Sequence, residues 1–195
     1  VGPTIADDIK EASYWAVIGS LIVVFLYILF RFRKWQFSLG AVAAVFHDVL
    51  IILGVFSATY SFMPFNMEIN QAFIAAILTV VGYSLNDTVV VFDRIREYFN
   101  EYTDWPFNKT INSALNSTIS RTVNTSLTTL IVLLAIFIFG GESIRGFMFA
   151  LIIGVIVGTY SSLFIATPIM YDTAKKKSED LLKRKEEEKE EEELV

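Results

Sequence analysis

The sequence indicates an all-α membrane protein, a five-helix transmembrane bundle. Hydrophobic residues make up 54% of its 195 residues and charged residues only 19%, and mean hydropathy is positive. A soluble domain would carry more charge and alternate it with its apolar residues. The apolar residues instead come in five blocks, each close to the 20 or so needed to cross a bilayer. Lys and Arg gather in alternate loops between those blocks.

The blocks lie at about 14–30, 37–60, 72–92, 122–139 and 147–170, so the bundle is expected over residues 1–172. None reads as a signal peptide: the first lacks a basic start and a cleavage site, and the others are internal. Val1 stands where a starting Met would, so a fragment or processed product is expected. Five spans put the termini on opposite sides. One set of loops holds Arg31, Arg33, Lys34, Arg94, Arg96, Lys109, Arg121 and the tail from Lys175, which is fourteen of the 16 basic residues. The other set holds Lys10 and Arg145. The positive-inside rule makes the first set cytoplasmic, with the N-terminus outside and the C-terminus inside.

The outer loops are short, with Pro64 as a turn former in one and Gly140-Gly141-Glu142-Ser143 forming the other. Segment 98–119 is longer. Pro106 suits a first helical turn, and Phe107, Ile111, Leu115 and Ile119 recur at spacing four opposite Asn, Ser and Thr. It reads as a cytoplasmic amphipathic helix, on the inner membrane surface, against the bundle, or simply as a linker. Residues 173–195 form a charged cytoplasmic tail holding nine of the 21 acidic residues, expected to be a solvated helix or disordered. With no cysteine and a single histidine, disulfides, thiolate sites and histidine-rich metal sites are excluded, and no cofactor is expected.

The chemistry concentrates where polar residues interrupt the third block. Asn86, Asp87 and Thr88 sit in an apolar run beginning near Phe73. A carboxylate there costs roughly 2.5–3.5 kcal/mol on insertion scales and ordinarily marks an ion or proton pathway. Asp87 lies in the inner half of its span, and Asp48 about 16 Å from the inner end of its own, at 1.5 Å per residue. Arg121 opens the fourth span from the same side, so all three can meet in the interior. Burial and a nearby cation act oppositely on a carboxylate's hold on its proton. An Asp facing an Arg that moves away would therefore take up and release a proton, coupling proton flow to movement. A static Asp87–Arg121 ion pair holding two helices is the plainer alternative. His47-Asp48 reads as a hydrogen-bonded packing element, a relay member or a helix-positioning pair. Ser120, Thr122, Asn124, Thr125, Ser126, Thr128 and Thr129 crowd the fourth span, for bonds across helices or for a wetted path; Thr125 and Thr128 are the candidates for the path. Asp93, Arg94, Arg96 and Glu97 read as interfacial salt bridges, and Gly154 and Gly158 as a close helix contact.

The run Gly82-Tyr83-Ser84-Leu85-Asn86-Asp87-Thr88, continuing to Glu97, resembles the signature of the SecF family of the bacterial protein-export machinery, in the resistance-nodulation-division superfamily. Phe30-Arg31-Phe32-Arg33, His47-Asp48-Val49-Leu50, the 120–129 segment, Phe139-Gly140-Gly141-Glu142 and residues 154–162 are similar too. The resemblance implies a six-helix half-unit whose first helix and external domain are absent here. It implies a SecD half as partner, separate or fused, along with the SecYEG translocon and exported preproteins, in the bacterial cytoplasmic membrane. It also implies that Asp87 and Arg121 conduct protons, the coupling ion for late steps of translocation, and that the chain is not an enzyme and binds no nucleic acid. A proton-driven exporter of lipids or small molecules is the alternative, followed by a purely structural subunit. Asp48 and Asp87 as the carboxylate pair of an intramembrane protease come last, because Arg121 and the Asn-Asp-Thr context favour proton transfer.

Overall fold

The computed structural model describes residues 3–175, as five helices long and apolar enough to cross a membrane, with no strand among the described residues. Helix α1 spans Pro3–Phe32 and opens on a proline, whose missing N–H is no loss in a first turn. A two-residue elbow, Arg33-Lys34, leads to α2, Trp35–Thr59. After the outer loop, Asn70 starts α3, Gln71–Glu101, by accepting the Phe73 amide on its side chain at 3.1 Å. Helix α4 is Phe107–Phe139, entered directly after Pro106. Helix α5 is Glu142–Ser161 and runs on through a π-helical turn, Ser162–Ala166, to Lys175. The tail 176–195 lies outside the described residues.

Two helices are longer than their apolar blocks. The expected third span ended near residue 92, but α3 continues nine residues further, carrying Asp93, Arg94 and Arg96 in its last turns. The amphipathic segment at 98–119 is not a separate helix. Its first residues close α3, Tyr102 to Trp105 form a turn with the two rings stacked at 4.2 Å, and the rest is the start of α4. Polar helix is stable outside the hydrocarbon, so the apolar run marks the membrane-crossing part and not the helix end. The buried line of α4 is Thr110, Ile111, Ala114, Thr118, Thr122 and Ser126, whereas Ile119 is exposed. Small residues take the contact because they let backbones approach closely.

The sharpest contact is between α3 and α5. A Cβ at Gly154 would run into the Val80 side chain, and one at Gly158 would stand 3.0 Å from Ser84 Cβ. Val80 and Ser84 are one turn apart on α3, as the two glycines are on α5, so the helices lie backbone to side chain over that turn. Pro168, which has no N–H to give the Phe164 carbonyl, follows the π turn, and across it the Thr167 hydroxyl donates to the Ser162 carbonyl at 3.2 Å. The widened turn seats its Ala166 carbonyl against Gly40 of α2, where no side chain would fit.

Aromatic layers close both ends of the core. At the basic end Phe32 stacks on Phe37 at 5.1 Å, and both meet Phe92 edge-on. At the other end Phe56, Phe73, Phe65, Phe137 and Phe149 interlock with centroids 4.5–5.7 Å apart along the chain of contacts. Between the layers lies a band of buried polar side chains.

Candidate functional site

That band is built from α2, α3, α4 and α5 and holds two carboxylates. Asp48, 1% exposed, sits near the middle of α2. Its Oδ2 accepts hydrogen bonds from Ser84 of α3 at 2.6 Å and Ser161 of α5 at 2.8 Å. Its Oδ1 is 3.2 Å from Nδ1 of half-exposed His47. Asp48 thus ties three helices at one point, and His47 connects that point to the outside of the bundle.

Asp87, 4% exposed, faces α4 and α5. Ser126 of α4 donates to its Oδ2 at 3.4 Å, and Thr159 of α5 lies 2.6 Å from Ser126 Oγ. The two carboxylates therefore do not share a hydrogen bond, but α3 and α5 each serve both. Ser84 and Asp87 are three residues apart on one face of α3, and Thr159 and Ser161 are two apart on α5. On helical rise, Asp87 lies about 4–5 Å nearer the basic end than Ser84.

The remaining candidates divide by exposure. Thr88 is fully buried, yet its hydroxyl has no hydrogen-bond partner, and the same is true of Thr122 on α4. Unpartnered buried hydroxyls are uncommon and mark places suited to a bridging water. Arg121, Asn86, Thr125 and Thr128 are exposed. Arg121 is near enough for its charge to act on Asp87, but no hydrogen bond or ion pair joins them. Thr125 and Thr128 donate to their own helix, to the Arg121 and Thr125 carbonyls. So Asp48, Asp87 and Thr88 enter the interior, and Arg121 does not join them there. The hydroxyl beside Asp87 is Ser126, with Thr122 one turn before it on the same face. Thr125 and Thr128 are turned away from it by the phase of α4.

A family model described as "Protein export membrane protein SecD/SecF, C-terminal" matches residues 1–176. The chain belongs to this family. It is 57% identical over 172 residues to the protein translocase subunit SecF of Rhodothermus marinus, covering 88% of this chain and 56% of that protein. To the protein translocase subunit SecDF of Brucella abortus it is 46% identical, over 92% of this chain and 23% of that one. The crystal structure of SecDF from Thermus thermophilus, a translocon-associated membrane protein, superposes with a TM-score of 0.81 at 39% identity, over 90% of this chain and 23% of that one. The chain thus spans about half the length of the SecF relatives it matches.

Within this SecD/SecF membrane part, reasoning from sequence did not single out Ser84, Ser161 and Thr159, and it named Ser126 only as one of the fourth-span hydroxyls able to bond across helices. Ser84 carried a signal: it stands three residues before Asp87, hence on the same face. Ser126 stood among the crowded hydroxyls, and helix phase relative to Asp87, which needs the packing of α3 on α4, is what singles it out. No metal-binding cluster of His, Asp or Glu occurs among the described residues.

Proposed function

We propose that this chain is the membrane part of a SecF-type subunit that uses proton movement to drive late steps of preprotein translocation across the bacterial cytoplasmic membrane. The observation that carries the reading is Asp87, buried in a membrane-crossing helix, bonded among the described residues through Ser126 alone to α4 and α5, and flanked by the unpartnered hydroxyl of Thr88. A carboxylate so placed is costly unless it has a role. One hydroxyl at 3.4 Å holds it loosely, so it can gain and lose a proton with little rearrangement. Asp48, held by two hydroxyls and His47, is the firmer of the pair and suits a joint that passes movement between α2, α3 and α5.

Asn86 of α3 and Thr125 and Thr128 of α4 are exposed at membrane depth, and Arg121 at the inner edge of the α4 span, where lipid would leave their polar groups unsatisfied. They support a second membrane half, of SecD type, covering these positions, with Arg121 entering the proton path from there. SecYEG and the exported chain are the further partners, protons are the coupling ion, and the chain performs no covalent catalysis. The basic residues put α2–α3 and α4–α5 turns outside. An impermeant thiol reagent on intact cells should then label a cysteine at Ser143 and spare one at Asp104; the reverse pattern would invert the topology.

In the intact protein with its partner half, Asp87→Asn should leave assembly unchanged and abolish proton-gradient-dependent export. Asp87→Glu should keep part of the activity, because it still titrates. Wild-type export by Asp87→Asn with the gradient present would reduce Asp87 to a packing residue.

A further inference from the structure

The elbow between α1 and α2 has features that neither helix packing nor the proton path requires. Arg33 has φ 55°, in the left-handed region, and no other non-glycine described residue does. Glycine is the usual residue at such a helix end, since a Cβ is disfavoured there. Here the position holds a guanidinium, next to Lys34, and neither cation makes an ion pair or a side-chain hydrogen bond with any described residue. A backbone held in a disfavoured conformation to present a side chain is a reason to look for what that side chain meets.

The elbow opens on a cavity of about 510 Å³ lined in part by Arg33, Lys34, Trp35, Gln36, Arg96 and Asn100. A second, of about 440 Å³, adjoins it around Phe30, Arg31, Arg33 and Arg96. No carboxylate lines either one among the described residues. Asp93 is engaged by Arg31 at 2.8 Å, leaving Arg33 and Lys34 without a carboxylate, while Arg96 lines both cavities with one nitrogen donating to the Arg31 carbonyl at 3.4 Å. Helix α2 starts at the rim, and its N-cap residue Lys34 offers no capping side chain. The Phe37 amide is taken by the Lys34 carbonyl at 3.2 Å, and the positive end of that first turn adds to the pull on an anion. Gln36, buried behind Trp35, has an Oε1 without a partner.

The surroundings are apolar in a way a soluble anion would not need. Phe30 is 87% exposed, and Val23 and Leu26 continue its stripe up the outer face of α1. Trp35 is exposed at the same level, as aromatic residues are where a bilayer meets water. Cations at the water boundary, directly below an uncovered apolar track, match a phosphate with acyl chains attached. Basic pockets between membrane helices hold acidic headgroups in this way.

We propose that the α1–α2 elbow binds the headgroup of an anionic glycerophospholipid of the phosphatidylglycerol type. Arg33, Lys34 and Arg96 take the phosphate, Asn100 and Gln36 lie beside the glycerol hydroxyls, and one acyl chain follows Phe30, Leu26 and Val23. The test uses the intact protein in phosphatidylcholine vesicles with increasing brominated phosphatidylglycerol, and the converse mixture with brominated phosphatidylcholine. The Trp35 signal is taken as the difference between the protein and its Trp35→Phe variant. Trp35 should be half-quenched at a several-fold lower mole fraction of brominated phosphatidylglycerol. Arg33→Gly keeps the left-handed turn and removes the charge. Combined with Lys34→Gln it should erase the preference, at about fivefold per charge, the equivalent of about 1 kcal/mol each. Equal quenching by the two lipids, or a preference untouched by the double variant, overturns the proposal. So does displacement of the brominated lipid by millimolar inorganic phosphate, which assigns the site to a soluble anion. A preference appearing only after removal of residues 176–195 also overturns it, since the charged tail is then the occupant.

Discussion

Asp48 and Asp87 share a residue type and a buried setting, but their partners differ. Asp48 accepts two serine hydroxyls at 2.6 and 2.8 Å, from helices other than its own, and has His47 on its second oxygen. Truncating it leaves those hydroxyls without an acceptor, and an unsatisfied buried polar group costs about 1–3 kcal/mol. Asp48→Ala should therefore lower the thermal unfolding midpoint of the detergent-solubilised protein clearly, and Asp48→Asn less, because the amide still accepts. Ser126→Ala removes the long bond to Asp87 at 3.4 Å and the 2.6 Å bond from Thr159, whose hydroxyl still has the Val155 carbonyl to donate to, and should cost less than Asp48→Ala. Equal midpoints for all three would mean that the Asp48 cluster contributes nothing to holding α2, α3 and α5 together. At this scale the sequence exposed the costly residues, because a carboxylate in an apolar run is visible without coordinates. It did not expose their partners. Serines are ordinary in membrane helices, and nothing local separates Ser126, which meets Asp87, from Thr125, which bonds back to Arg121.

The α3–α5 contact shows what one helix pair requires of its residues. Gly154 faces Val80 and Gly158 faces Ser84, so a methyl group at either glycine must displace something. At Gly158 the displaced residue would be the serine that holds Asp48. Overpacking of this kind costs about 1–3 kcal/mol. Gly154→Ala should destabilise the protein by an amount in that range, and Val80→Ala in the same chain should recover most of it. A double variant no better than the two losses added would show that Val80 is not what Gly154 makes room for. The small-residue spacing was readable as a close contact, though not which helix it meets. Helix limits were the least readable feature. Apolar runs report the hydrocarbon thickness, and α3 and α4 extend beyond it on polar residues at Asp93–Glu101 and Phe107–Ser120. The π turn had a local signal in Pro168, an imino acid inside a membrane helix. Its consequence, a carbonyl pressed on Gly40, depends on where α2 passes.

For the molecule as a whole, the uneven cover of its helices decides what else must be present. The described residues bury the inner faces of α2, α3 and α5, while α1 and α4 are mostly exposed along their membrane lengths. On α1 the exposed residues are apolar, Ile22, Val23, Leu26 and Phe30 among them, and lipid satisfies that face. On α4 they include Arg121, Asn124, Thr125 and Thr128, a polar line at spacings of three, one and three on one side of the helix. Lipid cannot hydrogen-bond such groups, so this side must meet water or another protein surface. The chain spans about half of its SecF relatives and less of the SecDF proteins, and on the proposed reading a SecD-type half supplies that surface. The two exposed faces should therefore behave differently toward thiol reagents. A cysteine at Thr125 should react with a water-soluble maleimide when the intact protein is made without a SecD-type half, since polar neighbours draw water there. It should become protected, or crosslink to the partner, when that half is present. A cysteine at Val132, exposed but among apolar residues further along α4, should stay unreactive in both cases, because a thiol in lipid does not ionise and only the thiolate reacts. Equal reactivity at Thr125 with and without the partner would show that the polar side of α4 lines a water-filled cleft of this chain alone. The second half would then dock elsewhere, and Arg121 would reach Asp87 through water and not across an interface.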